Sequence, residues 1–390
     1  MIPLMKNAFL NEFETREALS RFVLRTPRLS MDEKCFEFEK AFSGFQSRRY
    51  SILFNSGASA NLALLQAVKN LRILREGARV GFSALTWATN VMPIIQLGFS
   101  AVPVDCDPNT LNVMSRNLIE AIRKHQIESL FITNALGFSG DLDEILNVCQ
   151  EENVVLLEDN CESLGSSVGG RLTGNFGLAS TFSFFVAHHM STIEGGMVCT
   201  DDEDLADMLK MVRANGWDRN LSSTKQKLIR AKHGIQSELQ AKYSFYDLAF
   251  NLRPTEITGF LGLEQLKYLQ YNIGKREKNY SRFEKIIISN DDLITLDRSH
   301  MEFLSSFCLP ILCKTRDLKM KYVDRFSGAG VEIRPMIAGN IANQPFFRKY
   351  CTSGHVLVGT DFIDQCGFYA GNYPELSDSD IETILACLHK

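Results

Sequence analysis

Short apolar runs alternate with amphipathic stretches through the first half of the chain. The runs are rich in β-branched and aromatic residues, which favours strands that are buried on both faces. The stretches between them have the apolar spacing of helices, as in Leu142–Glu151 and Asp204–Val212. This order predicts a mostly parallel sheet covered by helices. The strand candidates are Tyr50–Phe54, Arg79–Phe82, Ala101–Val104, Leu130–Thr133, Val154–Leu157, Ala179–Phe184 and Gly196–Thr200.

The two ends of the chain differ from this alternating part. Residues 1–30 read as an arm with a helix near Glu12–Val23, and residues 218–250 are polar. We interpret the polar segment as a long excursion between domains or a loop over the site. The pattern predicts a large α/β domain at 1–250 and a smaller α+β domain at 251–390. The other predicted elements are helices at Met31–Phe42, Pro254–Leu269, Lys275–Ile288 and Asp378–Leu388, and strands at Phe307–Leu312 and Gly330–Arg334.

The composition is that of an ordinary globular protein, with 45% hydrophobic residues, 23% charged residues and a net charge of −4 over 390 residues. This balance gives no electrostatic reason to expect nucleic acid or an anionic membrane as a partner. No apolar run approaches the length that spans a bilayer, and the first residues lack the apolar core of a signal peptide. We therefore expect a cytoplasmic protein.

Ten cysteines are scattered along the chain, without a CxxC pair or a Cys/His cluster at zinc spacing. Buried free thiols in a reducing compartment are the favoured interpretation, and we expect no metal site. An iron–sulphur site assembled from distant cysteines stays open.

A turn of small residues, Ser56–Ala60, leads from the first strand candidate into an apolar helix. Such a turn presents backbone N–H groups and the positive end of the helix dipole, which suits a phosphate. On its own, the same composition also fits a tight connection between a strand and a helix.

Acidic residues follow the strand candidate Val154–Leu157. A carboxylate at the C-terminal edge of a parallel sheet lies where ligands bind, so Asp159 is placed to pair with a protonated ring nitrogen. The alternative is that these acids cap a following helix.

The segment Ser180–Gly196 contains a serine followed by two adjacent histidines. Ser183 can offer a hydroxyl to a phosphate. His188 can act as a general base, because the ordinary pKa of histidine lies near neutral pH. His189 is the alternative base, but we expect its side chain to point elsewhere.

These three segments occur in the order and at the spacing of one known family. With Trp87, Asn251–Glu256, Gly262–Leu266 and Gly330–Pro335, the chain resembles the DegT/DnrJ/EryC1/StrS aminotransferases over almost its whole length. They are fold-type I pyridoxal-phosphate enzymes that act on sugar nucleotides. The resemblance implies that α/β fold, a pyridoxal 5′-phosphate or pyridoxamine 5′-phosphate cofactor, and a homodimer with shared active sites.

The resemblance also implies roles for the residues that match the family's motifs. Gly57, Ala58 and Ser183 would hold the cofactor phosphate. Trp87 would stack on the cofactor ring, and Asp159 would pair with the ring nitrogen and keep the ring an electron sink.

Further matches lie near the ring oxygen, the partner subunit and the substrate. Glu162 stands where a glutamine or histidine often lies near the ring oxygen. Asn251 would reach the phosphate of the neighbouring subunit's cofactor, which is why a dimer is implied. The residues implied to contact the sugar nucleotide are Arg219, Arg253, Glu332 and Arg334.

One position departs from the family pattern. The family has a lysine five residues after the serine and six before the glutamate, and here that position is His188. No lysine occurs between Lys124 and Lys210, so the Schiff base of an ordinary transaminase cannot form at this site. Histidine at this position, with Glu158–Ser163 and Gly216–Asn220, resembles the sugar 3-dehydratases of the family.

This branch implies a different reaction, because lysine can be both a base and a Schiff-base partner whereas histidine can only be the base. We expect loss of the 3-hydroxyl from a nucleotide-linked 4-keto-6-deoxyhexose, with GDP-4-keto-6-deoxymannose as the first choice. Ammonia would then be released, and glutamate would recharge the cofactor. Three alternatives stay open: an iron–sulphur relative that acts on a CDP-linked sugar and needs a reductase, a sugar 4-aminotransferase that works without lysine, and an inactive homologue.

Overall fold

A seven-stranded sheet forms the centre of the first half of the chain. The computed structural model describes residues 1–351 and 354–390. Six strands of this sheet run in one direction and β9 runs against them, which confirms the predicted mostly parallel sheet. In spatial order the strands are β1 (Tyr50–Phe54), β9 (Gly196–Thr200), β8 (Ala179–Ser183), β5 (Val155–Asp159), β4 (Ser129–Thr133), β2 (Arg79–Ser83) and β3 (Ser100–Val104).

Helices cover both faces of the sheet, because successive residues of the central strands point to opposite sides. Leu130 and Ile132 of β4 belong to one apolar cluster, and Phe131 between them belongs to another. The helices of the chain are α1 (Glu12–Arg25), α2 (Glu33–Gln46), α3 (Gly57–Asn70), α4 (Ala88–Gln96), α5 (Ser115–His125), α6 (Leu142–Glu151), α7 (Glu203–Arg213), α8 (Ser223–Lys232), α9 (Glu238–Ala241), α10 (Glu256–Leu266), α11 (Leu269–Ile288), α12 (Arg316–Gly328), α13 (Pro345–Tyr350), α14 (Val358–Cys366) and α15 (Asp378–Leu388). None of these helices is long and apolar enough to cross a membrane.

Two small antiparallel sheets accompany the large one. The first joins β11 (Cys308–Leu312), β13 (Gly367–Gly371) and β12 (Ile333–Pro335), with β13 in the middle. The second joins β10 (Met301–Phe303), β6 (Ser167–Val168) and β7 (Arg171–Leu172), and so links the two predicted domains. The sequence predicted strands near β11 and β12, but it did not predict β13 or the second sheet.

The division at residues 250 and 251 stays a prediction. Helix α10, on the C-terminal side of that division, packs closely on α2. A Cβ atom at Gly259 would lie 2.4 Å from the backbone nitrogen of Cys35, and one at Gly262 would lie 2.4 Å from the ring of Phe38. The two glycines therefore allow helices from opposite ends of the sequence to meet.

The polar excursion at 218–250 contains the short helices α8 and α9. Arg230 on α8 donates to the buried Asp218 at 2.6 Å, which holds α8 to the first residue of the excursion. Several large apolar side chains of the excursion are nevertheless exposed: Leu228, Leu239, Tyr243, Phe245 and Leu248.

Candidate active site

A cavity of about 390 Å³ opens at the C-terminal edge of the large sheet. This is the edge at which open parallel sheets bind their ligands, because the loops that follow the strands converge there. Seven of the residues predicted from the sequence line the cavity: Gly57, Ala58, Trp87, Asp159, Glu162, Ser183 and His188.

The start of α3 forms one wall of the cavity. Ser56 caps the helix, since its hydroxyl accepts from the N–H of Ser59 at 3.1 Å and its carbonyl accepts from the N–H of Ala60 at 3.0 Å. The N–H groups of Gly57 and Ala58 have no hydrogen-bond partner among the described residues. These donors at the positive end of the helix suit an anion.

Ser183 lies at the end of β8, directly against this helix start. A Cβ atom at Gly57 would lie only 2.6 Å from Cβ and 2.9 Å from Oγ of Ser183. Glycine is therefore needed at residue 57 for the helix N-terminus and the serine hydroxyl to share one wall. The predicted phosphate group would meet two backbone donors and one hydroxyl there.

Asp159 is the last residue of β5 and is held by three donors. Its Oδ2 accepts from Nδ2 of Asn61 at 2.9 Å and of Asn90 at 3.4 Å, and its Oδ1 accepts from the N–H of Cys161 at 3.0 Å. The residues after β5 form turns that lead to β6, so the alternative that this acid caps a helix is wrong.

The neighbouring Glu158 points to the other side of the strand. It is fully buried and accepts from the N–H groups of Gly174, Phe176 and Gly177 at 2.7 to 2.8 Å. Because side chains alternate along β5, Glu158 faces the protein interior and Asp159 faces the cavity.

His188 extends into the cavity from the turn after β8. Its Nδ1 lies 2.5 Å from the carbonyl oxygen of Cys161. A carbonyl can only accept, so Nδ1 carries the proton and Nε2 keeps its lone pair. Burial lowers the pKa of His188 to about 4, although the bond to Cys161 and the charge of Asp159 oppose that shift. The ring is therefore neutral at pH 7 and available as a base.

His189 has a different environment and does not line the cavity. Its side chain is fully buried, and its Nε2 donates to the carbonyl oxygen of Ser305 at 3.0 Å. Burial, together with the nearby charge of Arg276, holds the pKa of His189 well below its usual value. This geometry favours His188 over His189 as the base.

Glu162 and Trp87 complete the predicted cofactor side of the cavity. Burial raises the pKa of Glu162 to about 7, and the nearby charge of Asp159 acts in the same direction. The N–H of Leu136 donates to Glu162 at 2.9 Å and opposes this rise. Trp87 begins α4 and is 58% exposed at the cavity. An aromatic face is therefore open to a flat ring.

Part of the cavity wall was not predicted from the sequence. Phe307 and Tyr369 come from the C-terminal part of the chain, and the Phe307 ring centroid lies 5.3 Å from that of His188. Thr86 and Thr133, on the loop after β2 and at the end of β4, share a hydrogen bond of 2.7 Å between their hydroxyls. The position of Thr133 at a strand end was the available signal for it. No comparable pattern in the sequence points to Phe307 or Tyr369.

Five predicted residues do not line the cavity: Asn251, Arg219, Arg253, Glu332 and Arg334. Asn251 accepts from Arg253 at 3.1 Å on the surface, and Arg334 pairs with Glu332 at 2.5 Å. Arg219 lies over the ring of Trp217, with 3.8 Å between the guanidinium carbon and the ring centroid. Their roles stay predictions. In the described part of the chain, no three His, Cys, Asp or Glu side chains converge as metal ligands.

Comparison with known proteins identifies the family. The model of the DegT/DnrJ/EryC1/StrS aminotransferase family matches residues 11–389. The chain belongs to this family. The resemblance read from the motifs is thereby confirmed.

Individual relatives point to one branch of the family. The chain is 31% identical over 374 residues to GDP-4-keto-6-deoxy-D-mannose 3-dehydratase of Yersinia pseudotuberculosis, covering 94% of each protein. It is 29% identical, with a TM-score of 0.90 and complete coverage of both chains, to a crystal structure of GDP-4-keto-6-deoxymannose-3-dehydratase with a trapped PLP-glutamate geminal diamine. The same values describe its likeness to a histidine-to-asparagine variant of that enzyme with bound GDP-perosamine. These likenesses confirm the fold-type I architecture.

Proposed function

We propose that the protein is a PLP/PMP-dependent 3-dehydratase of a nucleotide-linked 4-keto-6-deoxyhexose. The first-choice reaction converts GDP-4-keto-6-deoxymannose to GDP-4-keto-3,6-dideoxymannose. The observation that carries this proposal is a neutral histidine, with Nε2 free, at the family's lysine position. No lysine is among the described residues that line the cavity.

The cavity fits the phosphate, ring nitrogen and ring face of a pyridoxal cofactor. Gly57, Ala58 and Ser183 would hold the phosphate, Asp159 the ring nitrogen, and Trp87 the ring face. Two asparagines hold the Asp159 carboxylate in place before any ligand arrives, which lowers the cost of binding. When bound in its amine form, the cofactor supplies an amine for the 4-keto group and a sink for electrons.

His188 supplies the proton transfer. Its neutral Nε2 removes the proton whose loss allows the 3-hydroxyl to leave, and the Cys161 carbonyl stabilises the resulting imidazolium through Nδ1–H. Histidine cannot bind the cofactor covalently as the family's lysine does, so it acts as a base alone. Elimination with release of ammonia is therefore favoured over transfer of the amine to the sugar.

The proposal includes glutamate as the amino donor and a nucleotide sugar as the substrate. The solved relatives bound to a PLP-glutamate adduct and to GDP-perosamine support both. Arg219, Arg253, Glu332 and Arg334 would contact the nucleotide sugar, since arginines bind diphosphates well.

A homodimer is the second structural part of the proposal. Asn251 would complete the phosphate site of the neighbouring subunit, in keeping with its exposed position outside its own cavity. The exposed apolar side chains of the excursion at 218–250 give that dimer a surface to bury. All ten cysteines are free thiols, which supports a reducing compartment such as the cytoplasm.

The decisive experiment measures ammonia release from 4-keto-6-deoxy sugars linked to GDP, CDP or dTDP, with glutamate present. We expect release with the GDP-linked sugar and a 3-deoxy product by mass spectrometry. A 4-amino sugar formed without ammonia would identify an aminotransferase instead. Activity only with the CDP-linked sugar, in protein that contains stoichiometric iron, would favour the iron–sulphur alternative.

A further inference from the structure

A buried arginine lies behind the two histidines. Arg276 on α11 is only 4% exposed, and the acceptors of its hydrogen bonds are all neutral oxygens. Burial lowers the pKa of Arg276 to about 10, so the guanidinium stays charged at neutral pH. Glu375 is near enough to act on the Arg276 pKa, but no carboxylate among the described residues forms an ion pair with the guanidinium. A charge buried in this way is costly, which calls for a function.

The guanidinium joins α11 to two other segments of the chain. Its Nη1 donates to the carbonyl oxygens of Phe307 at 2.7 Å and Asn372 at 2.5 Å, and its Nε donates to Oδ1 of Asn272 at 2.7 Å. The Asn372 side chain donates back to the carbonyl oxygen of Arg276 at 2.9 Å and to Ser306 Oγ at 3.3 Å. The segment that carries Phe307 is thus fixed from both sides.

Two of these contacts lead directly to the turn that carries His188. The Nδ2 of Asn272, oriented by Arg276, donates to the carbonyl oxygen of His189. The His189 ring in turn donates to the carbonyl oxygen of Ser305, in the same segment as Phe307. The backbone that follows His188 is therefore fixed by residues of the small domain.

The His188 ring itself contacts Phe307. The two ring centroids are 5.3 Å apart with the ring planes tilted by 51°, and Nδ1 is fixed by the Cys161 carbonyl. With Nδ1 bonded and the ring against Phe307, small movements of Phe307 would turn Nε2 away from its target. A displacement of about 1 Å at a reacting group can cost on the order of a hundredfold in rate.

We propose that Arg276 is a positioning residue for His188, acting through the Phe307 segment and through Asn272. The proposal rests on the proposed function of His188 as the base. Arg276 lies outside the main cavity, along a smaller pocket that it shares with His188, His189 and Glu375. It also contributes positive charge near His188, opposite in effect to the charge of Asp159. The other titratable groups that share the cavity with His188 are Cys161, Glu162, Glu194 and Tyr369.

The test compares Arg276→Met, which removes the charge and the hydrogen bonds, with Arg276→Lys, which keeps the charge. We expect kcat to fall about ten- to a hundredfold in Arg276→Met while KM changes less than about threefold, because the substrate contacts remain. Arg276→Lys should lose less activity. Asn272→Ala should lower kcat in the same direction, and it is the milder variant if Arg276→Met folds poorly.

A second readout needs neither cofactor nor substrate. In protein labelled at histidine Cε1, the His188 NMR signal, assigned with His188→Asn, should move in Arg276→Met. Its pKa should rise in Arg276→Met, because a positive neighbour is lost, and stay near the wild-type value in Arg276→Lys. Arg282→Met is the matched control, since Arg282 lies on the same helix and pairs with Asp378 and Glu382 at the surface. It should change neither kcat nor the His188 signal.

Two results would overturn the proposal: kcat of Arg276→Met within twofold of the wild type, or an unchanged His188 signal in that variant. Absence of turnover in the wild-type protein would instead refute the proposed function. The NMR comparison would then still decide whether Arg276 fixes the His188 ring.

Discussion

The floor of the cavity and its surroundings are built in opposite ways. The floor consists of Gly57, Asp159, Ser183 and His188, which lie at strand ends or in the turns that follow, and its side chains have fixed partners. The residues predicted to contact the nucleotide sugar, which we term the rim, are Arg219, Arg253, Glu332 and Arg334. The three arginines are exposed, and each contacts another surface side chain.

This difference separates two tasks. The floor needs no rearrangement to receive a flat, phosphorylated ring, because the strands that position it are buried in the core. The rim consists of long side chains that must leave their present contacts and order themselves around a ligand, which costs entropy. Changes to the floor should therefore affect chemistry and cofactor binding, whereas changes to the rim should affect substrate affinity.

The largest expected effect comes from His188→Ala. The variant keeps the phosphate wall and Asp159, so the cofactor should still bind, but the imidazole that would take the proton is gone. We expect kcat to fall by about a thousandfold, within the range for loss of a general base. Ammonia release measures turnover, and absorbance titration measures cofactor binding.

The matched variant for that experiment is His188→Asn, which keeps a polar side chain at residue 188 but cannot remove a proton at neutral pH. It should be as inactive as His188→Ala. Turnover close to wild type in either variant would show that another group is the base.

The second-largest expected effect is a loss of cofactor affinity when a floor residue is changed. Asp159→Asn removes the negative charge that would face the ring nitrogen while keeping the shape of the side chain. A charge-assisted hydrogen bond contributes about 1.5–3 kcal/mol, so the cofactor should bind roughly ten- to a hundredfold more weakly. Equilibrium titration of the unloaded protein gives the dissociation constant.

Asp202→Asn is the control for this substitution. Asp202 caps α7, and asparagine is an equally good cap. Cofactor affinity should not change. Unaltered affinity in Asp159→Asn would mean that Asp159 does not contact the ring.

The floor could be predicted from the sequence because its residues are tied to local patterns. Ser183 and Asp159 each end a strand that is visible in the sequence as an apolar run. Gly57 begins helix α3 shortly after a third such strand, β1. Their order along the chain, combined with parallel topology, brings them to one edge of the sheet. The strand around Asp159 extends two residues further than predicted, since the buried Glu158 belongs to it and hides the apolar pattern.

The remaining parts depend on contacts between distant segments, which leave no local pattern. Phe307 and Arg276 reach the site from the C-terminal part of the chain, and an arginine inside an amphipathic helix is ordinarily a surface residue. The second small sheet pairs two-residue strands with Met301–Phe303, too short for any periodicity to be detected. The rim residues would take up their predicted role only with a ligand and a neighbouring subunit present, so their present contacts could not confirm it.

The smallest effect is expected at the rim, from Arg334→Ala. An exposed arginine that contacts a diphosphate contributes less to affinity than a buried one, because solvent and salt screen the charge. KM for the nucleotide sugar should rise about three- to tenfold with kcat nearly unchanged, and the rise should shrink at high salt. Glu332 keeps its bond from the N–H of Leu4, so the backbone near residue 334 should keep its position.

Arg348→Ala, at an exposed arginine bonded to Asn343, is the control and should leave KM unchanged. A fall in kcat in Arg334→Ala, without a change in KM, would place Arg334 with the floor and remove the distinction between the two regions.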